Sequence, residues 1–346
     1  MELQLGIAIC FILALTITPI VKKIAFIIGA VDRPNNRKIH AKIMPRLGGL
    51  AIFSSFMIGF FIFNPDSPYV WSILIGAILI TAIGIIDDVY ELAARYKFFV
   101  QTISALVVVL GGVEITYVNL PFDYAIDLGY LSIPITVLWI VGITNAINLI
   151  DGLDGLAAGV STIALITIAG LALSLSDMFV AFVSLLLIGS TLGFLVFNFH
   201  PAKIFMGDTG ALFLGYMIGV LSVLGFKNAT LFSLIVPIAI LGVPILDTIF
   251  AIIRRVVHKK PLYAPDKMHL HHCLFNLGFS HRQTVILIYA MSALFSIAGV
   301  IFNQSTMWGT TITFFSMSVL IELVVEMTGL VSENYRPLLN LLGKRK

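Results

Sequence analysis

Apolar segments long enough to cross a bilayer follow one another along almost the whole of this chain, and its charges are confined to the gaps between them. About 20 apolar residues in helical form match the hydrocarbon thickness of a bilayer. Inside that layer each backbone polar group must be satisfied within the segment, so a ladder of such segments reads as helices. The Lys and Arg residues gather in alternate gaps and in the tail, with Lys227 the outward exception. The His residues share those gaps, His258 and His281 at their margins. Short cytoplasmic loops are enriched in basic residues. The pattern predicts a single-domain (1–346), all-α polytopic membrane protein with its polar chemistry on the cytoplasmic face.

Composition agrees. The chain is 59% hydrophobic and 11% charged, and its mean hydropathy of +1.04 lies outside the soluble globular range. Membrane orientation accounts for the basic residues, so the formal charge of +3 calls for no nucleic acid. The run 3–21 lacks a basic leader and is long enough to span, so it reads as a helix rather than a cleavable signal. Cys10 and Cys273 form neither a metal motif nor an expected disulfide.

Segments 3–21, 47–63, 69–86, 98–112, 131–148, 155–174, 178–197, 209–225, 229–253, 284–302 and 307–328 predict about eleven spans. The basic loop 22–46 should be cytoplasmic, which puts the N-terminus outside and the basic C-terminus inside. Two segments depart from the simple ladder. Residues 113–130 alternate apolar and polar around Pro121 and Gly129, as a small outer β-hairpin would. The ninth span contains Pro237, Gly242, Pro244 and Asp247 and should be broken or bent, because proline removes a backbone donor. From Met327 onward the expectation is a short amphipathic or disordered cytoplasmic extension.

Polar residues cluster in a few places. Asp87 and Asp88 end the third span, where adjacent carboxylates suit Mg²⁺ or a general base, or are simply solvated charges. Lys97, with Arg95 nearby, would meet a phosphate or merely obey the charge rule. Asn145, Asn148, Asp151 and Asp154 recur at three-residue steps, which groups them on one helical face, and oxygen ligands of this kind suit Mg²⁺. Helix capping explains one of these residues but not all of them. In the run Asn198-Phe199-His200-Pro201-Ala202-Lys203-Ile204-Phe205-Met206-Gly207-Asp208, Asp208 opens a helix where a metal–diphosphate could dock, and Phe205 offers an aromatic face. The loop 254–283 holds His269, His271 and His272, then Ser280-His281-Arg282. Zinc is disfavoured at the triplet, for want of an H-E-x-x-H pattern or a Cys pair. Contacts to phosphate or sugar fit the acidic company better.

These motifs, in this order, resemble the polyprenyl-phosphate N-acetylhexosamine-1-phosphate transferase family over nearly the whole chain. Arg37-Lys38-Ile39-His40, Pro45-Arg46-Leu47-Gly48-Gly49 and Asp266-Lys267-Met268-His269-Leu270-His271-His272 resemble its GlcNAc branch. Leu270 interrupts the continuous His run typical of the pentapeptide-translocase branch. Residues 137–158, 197–208 and 242–255 look most like the members that begin wall teichoic acid linkage units.

The resemblance implies transfer of GlcNAc-1-phosphate from UDP-GlcNAc to undecaprenyl phosphate, with release of UMP and Mg²⁺ as cofactor, Mn²⁺ substituting. It implies Asp208 and Asn148 as metal ligands. Asp87, Asp88, Lys97 and Asp151 would serve catalysis, with Asp87 and Asp88 at the lipid phosphate and Asp151 in the metal or phosphate network. Phe205 would stack on uracil, Asp154 would hydrogen-bond its edge, His271 and His272 would lie near the sugar diphosphate, and Arg46 would contact phosphate. The lipid tail would run beside the bent ninth span. Family members are often dimers, and the apolar surface allows a homodimer. A related transferase using another UDP-N-acetylhexosamine is the alternative, the His-loop pattern disfavouring the pentapeptide donor. Two other rivals are weaker. A secondary transporter would explain Asp247, Glu322 and Glu326, but no internal repeat is visible. A CDP-alcohol phosphatidyltransferase requires D-G-x-x-A-R, which the stretch after Asp154 lacks.

Overall fold

The computed structural model describes residues 2–32, 43–119, 125–226, 235–257, 259, 261, 268–304, 307–330 and 336–343. Arg37-Lys38-Ile39-His40, Asp266, Lys267, Lys227 and His258 therefore lie outside the described residues. The elements run α1 Glu2–Ile28, β1 Val31–Asp32, β2 Met44–Pro45, α2 Gly48–Phe63, α3 Val70–Tyr90, α4 Ala94–Leu110, β3 Tyr117–Asn119, β4 Ala125–Asp127, α5 Ser132–Ile150, α6 Leu156–Ser174 and α7 Met178–Asn198. They continue with α8 Gly207–Phe226, α9 Ile235–Ile240, α10 Gly242–Val257, α11 Leu270–Asn276, α12 His281–Gln304, α13 Met307–Thr328 and α14 Pro337–Gly343.

Eight described helices are long and apolar enough to cross a membrane: α1, α3, α5, α6, α7, α8, α12 and α13. The protein is thus an all-α polytopic membrane protein. Two expected spans, α2 and α4, are 16 and 17 residues long. The ninth is divided, as its prolines require. Pro244 has no N–H to give the carbonyl of Ile240, and the helix is interrupted between α9 and α10. Gly242 then lets α10 lie against α12, since a Cβ there would stand 2.1 Å from the Phe295 ring.

Helix α8 is the centre of the bundle. It packs on α2, α3, α5 and α6, and almost every residue from Thr209 to Val223 is buried. Two glycines allow this closeness at the end that carries the acids. A Cβ on Gly49 of α2 would meet the Gly210 nitrogen at 1.9 Å, and one on Gly84 of α3 would meet the Thr209 Cα at 2.5 Å. The loop before α8 is held to the loop before α2 by backbone pairing, Phe205 N donating to Pro45 O at 2.8 Å and Gly48 N to Phe205 O at 2.9 Å.

The alternation in 113–130 takes the form of an antiparallel pair, with Tyr117 opposite Asp127 and Asn119 opposite Ala125. Its tip, with Pro121, is outside the described residues. The tail, expected as a short amphipathic or disordered extension, contains a short helix. Its described part is helix α14, and the buried carboxylate of Glu326 on α13 accepts from the backbone N–H groups of Leu338 and Leu339 at 2.6 and 2.7 Å. An anion at a helix start satisfies donors that the helix itself cannot.

Candidate active site

The polar motifs meet at one end of the bundle. Asp87 and Asp88 come from the last turn of α3, Lys97 from the first turn of α4, and Arg46 from the strand end before α2. Asp151 and Asp154 come from the α5–α6 loop, and Asp208 from the first turn of α8. Lys97 Nζ bridges two of the acids, 3.1 Å from Asp87 Oδ2 and 2.7 Å from Asp208 Oδ2. Arg46 bridges the other side, with Nε 3.1 Å from Asp88 Oδ1 and Nη2 3.4 Å from Asp208 Oδ1.

The two neighbouring aspartates have different surroundings. Asp88 accepts from the N–H of Asp208 at 2.9 Å, and from the N–H and hydroxyl of Thr209 at 3.0 and 2.6 Å. It is the helix cap of α8, supplied from α3 rather than from the preceding residue. Asp87 accepts from the Leu92 N–H at 2.7 Å and from Lys97, so the turn after α3 sets its orientation.

A cavity of about 470 Å³ opens beside this cluster. Its lining includes Arg46, Asp151, Asp154, Phe205, Asp208, His271 and His272. The size suits a ligand larger than an ion. Asp154 is fixed in place, with Oδ2 2.9 Å from His200 Nδ1 and 3.1 Å from the Ala202 N–H that donates to it. His271 is buried, its Nδ1 has no hydrogen-bond partner among the described residues, and a Cβ on Gly152 would stand 2.6 Å from its Nε2. Burial, reinforced by His272, holds its pKa down at about 3, so the ring is neutral.

The Asp151 carboxylate makes no hydrogen bond or ion pair among the described residues, although its backbone N–H donates to Asn148 O at 3.3 Å. Burial first, and then the Asp208 and Asp88 carboxylates, push its pKa up to about 8. An acid left in this state beside a second carboxylate on a cavity wall is what a bound divalent cation would relieve. The donor set is all oxygen, which fits Mg²⁺. Asn148 lies one turn earlier on α5, is half-buried, and is not part of the cavity wall. The structure thus places Asp151, rather than Asn148, on the cavity wall with Asp208.

Several residues in the cluster had no role read from the sequence. Thr209 follows Asp208 directly, but that it donates twice to Asp88 depends on how α3 and α8 pack. Asp32 lines the cavity from β1. His200 and His281 also line it, and they stack with ring centroids 4.1 Å apart. Both sat inside motifs noted for other residues, and sequence distance hid their meeting. Asp247 of the broken ninth span is buried on α10, with Oδ2 2.8 Å from His269 Nδ1 and Oδ1 accepting from the Leu270 N–H at 2.8 Å. The broken ninth span therefore carries the His segment.

Fold and site together define a multi-pass membrane protein with an acidic, cation-bridged cavity at one end of its helices. The chain belongs to the polyprenyl-phosphate N-acetylhexosamine-1-phosphate transferase family. Residues 70–226 match the model for "Glycosyl transferase family 4". The chain is 50% identical to a probable undecaprenyl-phosphate N-acetylglucosaminyl 1-phosphate transferase of Bacillus subtilis, over 97% of this chain and 96% of that one. It is 35% identical to a decaprenyl-phosphate N-acetylglucosaminephosphotransferase of Mycolicibacterium smegmatis, over 90% and 84% of the two chains. A phospho-N-acetylmuramoyl-pentapeptide-transferase of Chlorobium chlorochromatii is 33% identical, over 77% and 81%.

Proposed function

We propose that the protein transfers GlcNAc-1-phosphate from UDP-GlcNAc to undecaprenyl phosphate at the cytoplasmic face of the cell membrane, as the first membrane step of a cell-envelope glycopolymer, teichoic acid in the reading we favour. The observation that carries this is the meeting of Asp151, Asp208 and Arg46 on a cavity sized for a nucleotide sugar, with Lys97 and Asp87 joined to it behind Asp208, at the end of the membrane helices. The names of relatives in both polyprenyl classes support the acceptor.

In the proposed reaction an oxygen of the lipid phosphate bonds to the sugar-bearing phosphorus. The bond from that phosphorus to the oxygen shared with UMP breaks, and UMP leaves with that oxygen. Such transfers ask a protein mainly for positioning and charge neutralisation. A divalent cation held by Asp208 and Asp151 would neutralise charge on the diphosphate. Lys97 holds Asp87 and Asp208 together and offers its one remaining donor to phosphate. Both oxygens of Asp87 are engaged, which favours orienting the acceptor over forming a covalent intermediate. Asp88 shapes the start of α8 and anchors Arg46. Phe205 and the pinned Asp154 suit the face and edge of uracil, while neutral His271 and His272 face the sugar diphosphate. An apolar pocket beside α10, lined by Leu246, Phe250 and Leu294 among others, suits the lipid tail.

The test is UMP release by purified protein given undecaprenyl phosphate, UDP-GlcNAc and Mg²⁺, with Asp208→Ala as control. Release that needs lipid and metal and disappears in the variant is the expected result. No release with UDP-GlcNAc, UDP-GalNAc or UDP-MurNAc-pentapeptide would overturn the assignment.

A further inference from the structure

Three segments bring further ligand-bearing side chains together in the lining of the cavity. The α5–α6 loop brings Asp154, the α7–α8 loop brings His200, and the first residue of α12 is His281. One ligand atom from each lies within 4.8 Å of the others. The two imidazoles are stacked at 4.1 Å and 23°, which sets their edges side by side. His281 Nε2 is buried and has no hydrogen-bond partner among the described residues. The cation–π contact of Arg282 with Phe199, at 5.8 Å, ties the start of α12 to the α7–α8 loop, so the arrangement is braced from outside.

The chemistry of this group differs from that of the Asp151–Asp208 pair. Two imidazoles and one carboxylate favour borderline-soft divalent ions, whereas all-oxygen sets favour Mg²⁺. Three protein ligands with a fourth position open to a cavity is the usual layout of an accessible Zn²⁺ site. Metal–ligand bonds of about 2.0–2.1 Å place tetrahedral ligand atoms about 3.3 Å apart. The Asp154–His200 contact of 2.9 Å would therefore open slightly, and the wider separations would close.

We propose that Asp154, His200 and His281 form a second cation site, selective for Zn²⁺-class ions, whose occupation competes with the nucleotide. The competition clause rests on the donor reading above, because it uses Asp154 at the base; the site itself does not. Binding of Co²⁺ to the purified, full-length protein in detergent is followed by its visible absorption, and Zn²⁺ by displacement of Co²⁺. One site is expected, retained in Asp208→Asn and weakened by about tenfold or more in His200→Ala and His281→Ala. His281→Gln, a milder change, should weaken it as well, with thermal melting checking that each variant folds. Absence of binding in the parent protein would overturn the proposal. So would loss in Asp208→Asn or His272→Ala with the His200 and His281 variants unaffected. Zn²⁺ should also weaken UMP binding in the parent and not in His281→Gln. Unchanged UMP affinity with Zn²⁺ at the site would overturn the competition clause alone, whatever the transferase assay gives.

Discussion

Phe205 and Asp154 both line the cavity, and their roles can be separated by substitution. Stacking of a base on an aromatic ring is worth about 1–3 kcal/mol. Phe205→Ala should therefore weaken UMP binding by roughly tenfold or more and leave affinity for the lipid acceptor unchanged, as calorimetry with each ligand would reveal. Equal loss of both would contradict the stacking role. His200 acts on Asp154 through one N–H. Its loss should raise the donor KM by about tenfold, the size of one charge-assisted hydrogen bond, with kcat little changed. His200→Asn can place an amide N–H where Nδ1 stands and should recover most of that loss; a drop in kcat without recovery would contradict positioning. His271 carries a pH consequence. Its folded pKa of about 3 lies below the ordinary value of 6.5. The unfolded chain then takes up a proton that the folded ring refuses, so stability is full above that ordinary value and falls as pH drops through it. Melting temperature should fall less between pH 7.5 and 5.5 in His271→Gln than in the parent, and an equal fall in both would refute the assignment.

At the scale of elements, the glycines of α2 and α3 govern how near the acids come to α8. Gly84→Ala would press a methyl into the backbone at Thr209, where overpacking costs about 1–3 kcal/mol. It should lower both melting temperature and UMP release, whereas alanine at Gly142, which has open space around it, should change neither. Helix existence was legible in the chain because apolar length is a strong signal, and the proline pair of the ninth span announced its break. Helix ends were less legible. Helix α1 runs on to Ile28 past Lys22 and Lys23, because long basic side chains tolerate a helix end at the membrane edge. The docking of α14 on Glu326 was not legible either, since nothing local pairs a carboxylate with backbone donors twelve residues away. The same limit hid the Asp88 cap, the Asp247–His269 pair and the meeting of His200 with His281. Motif chemistry is local in sequence, whereas these partnerships depend on which helices pack together.

For the whole molecule, the acids, Lys97, Arg46 and the His segment occupy one end of the helices, and the loop at 64–68 lies at the other. In the function proposed above the first end faces the cytoplasm, as the charge rule expects. With Cys273→Ser as background, a cysteine placed at Ser67 should react with a membrane-impermeant maleimide on intact cells. One placed at Lys259 should react after permeabilisation alone. The reverse pattern would invert the topology and place the cavity on the wrong side for a nucleotide sugar.

The cap that α3 lends to α8 also bears on how the protein is made. During synthesis α3 enters the membrane well before α8 has left the ribosome, so Asp88, with Arg46 already made, must wait for backbone donors more than a hundred residues downstream. Until Thr209 arrives, Asp87, Asp88 and Arg46 exist without the element that aligns them. The cluster of acids and cations is therefore complete only after the most buried helix has inserted, and the histidines of the cavity follow later still.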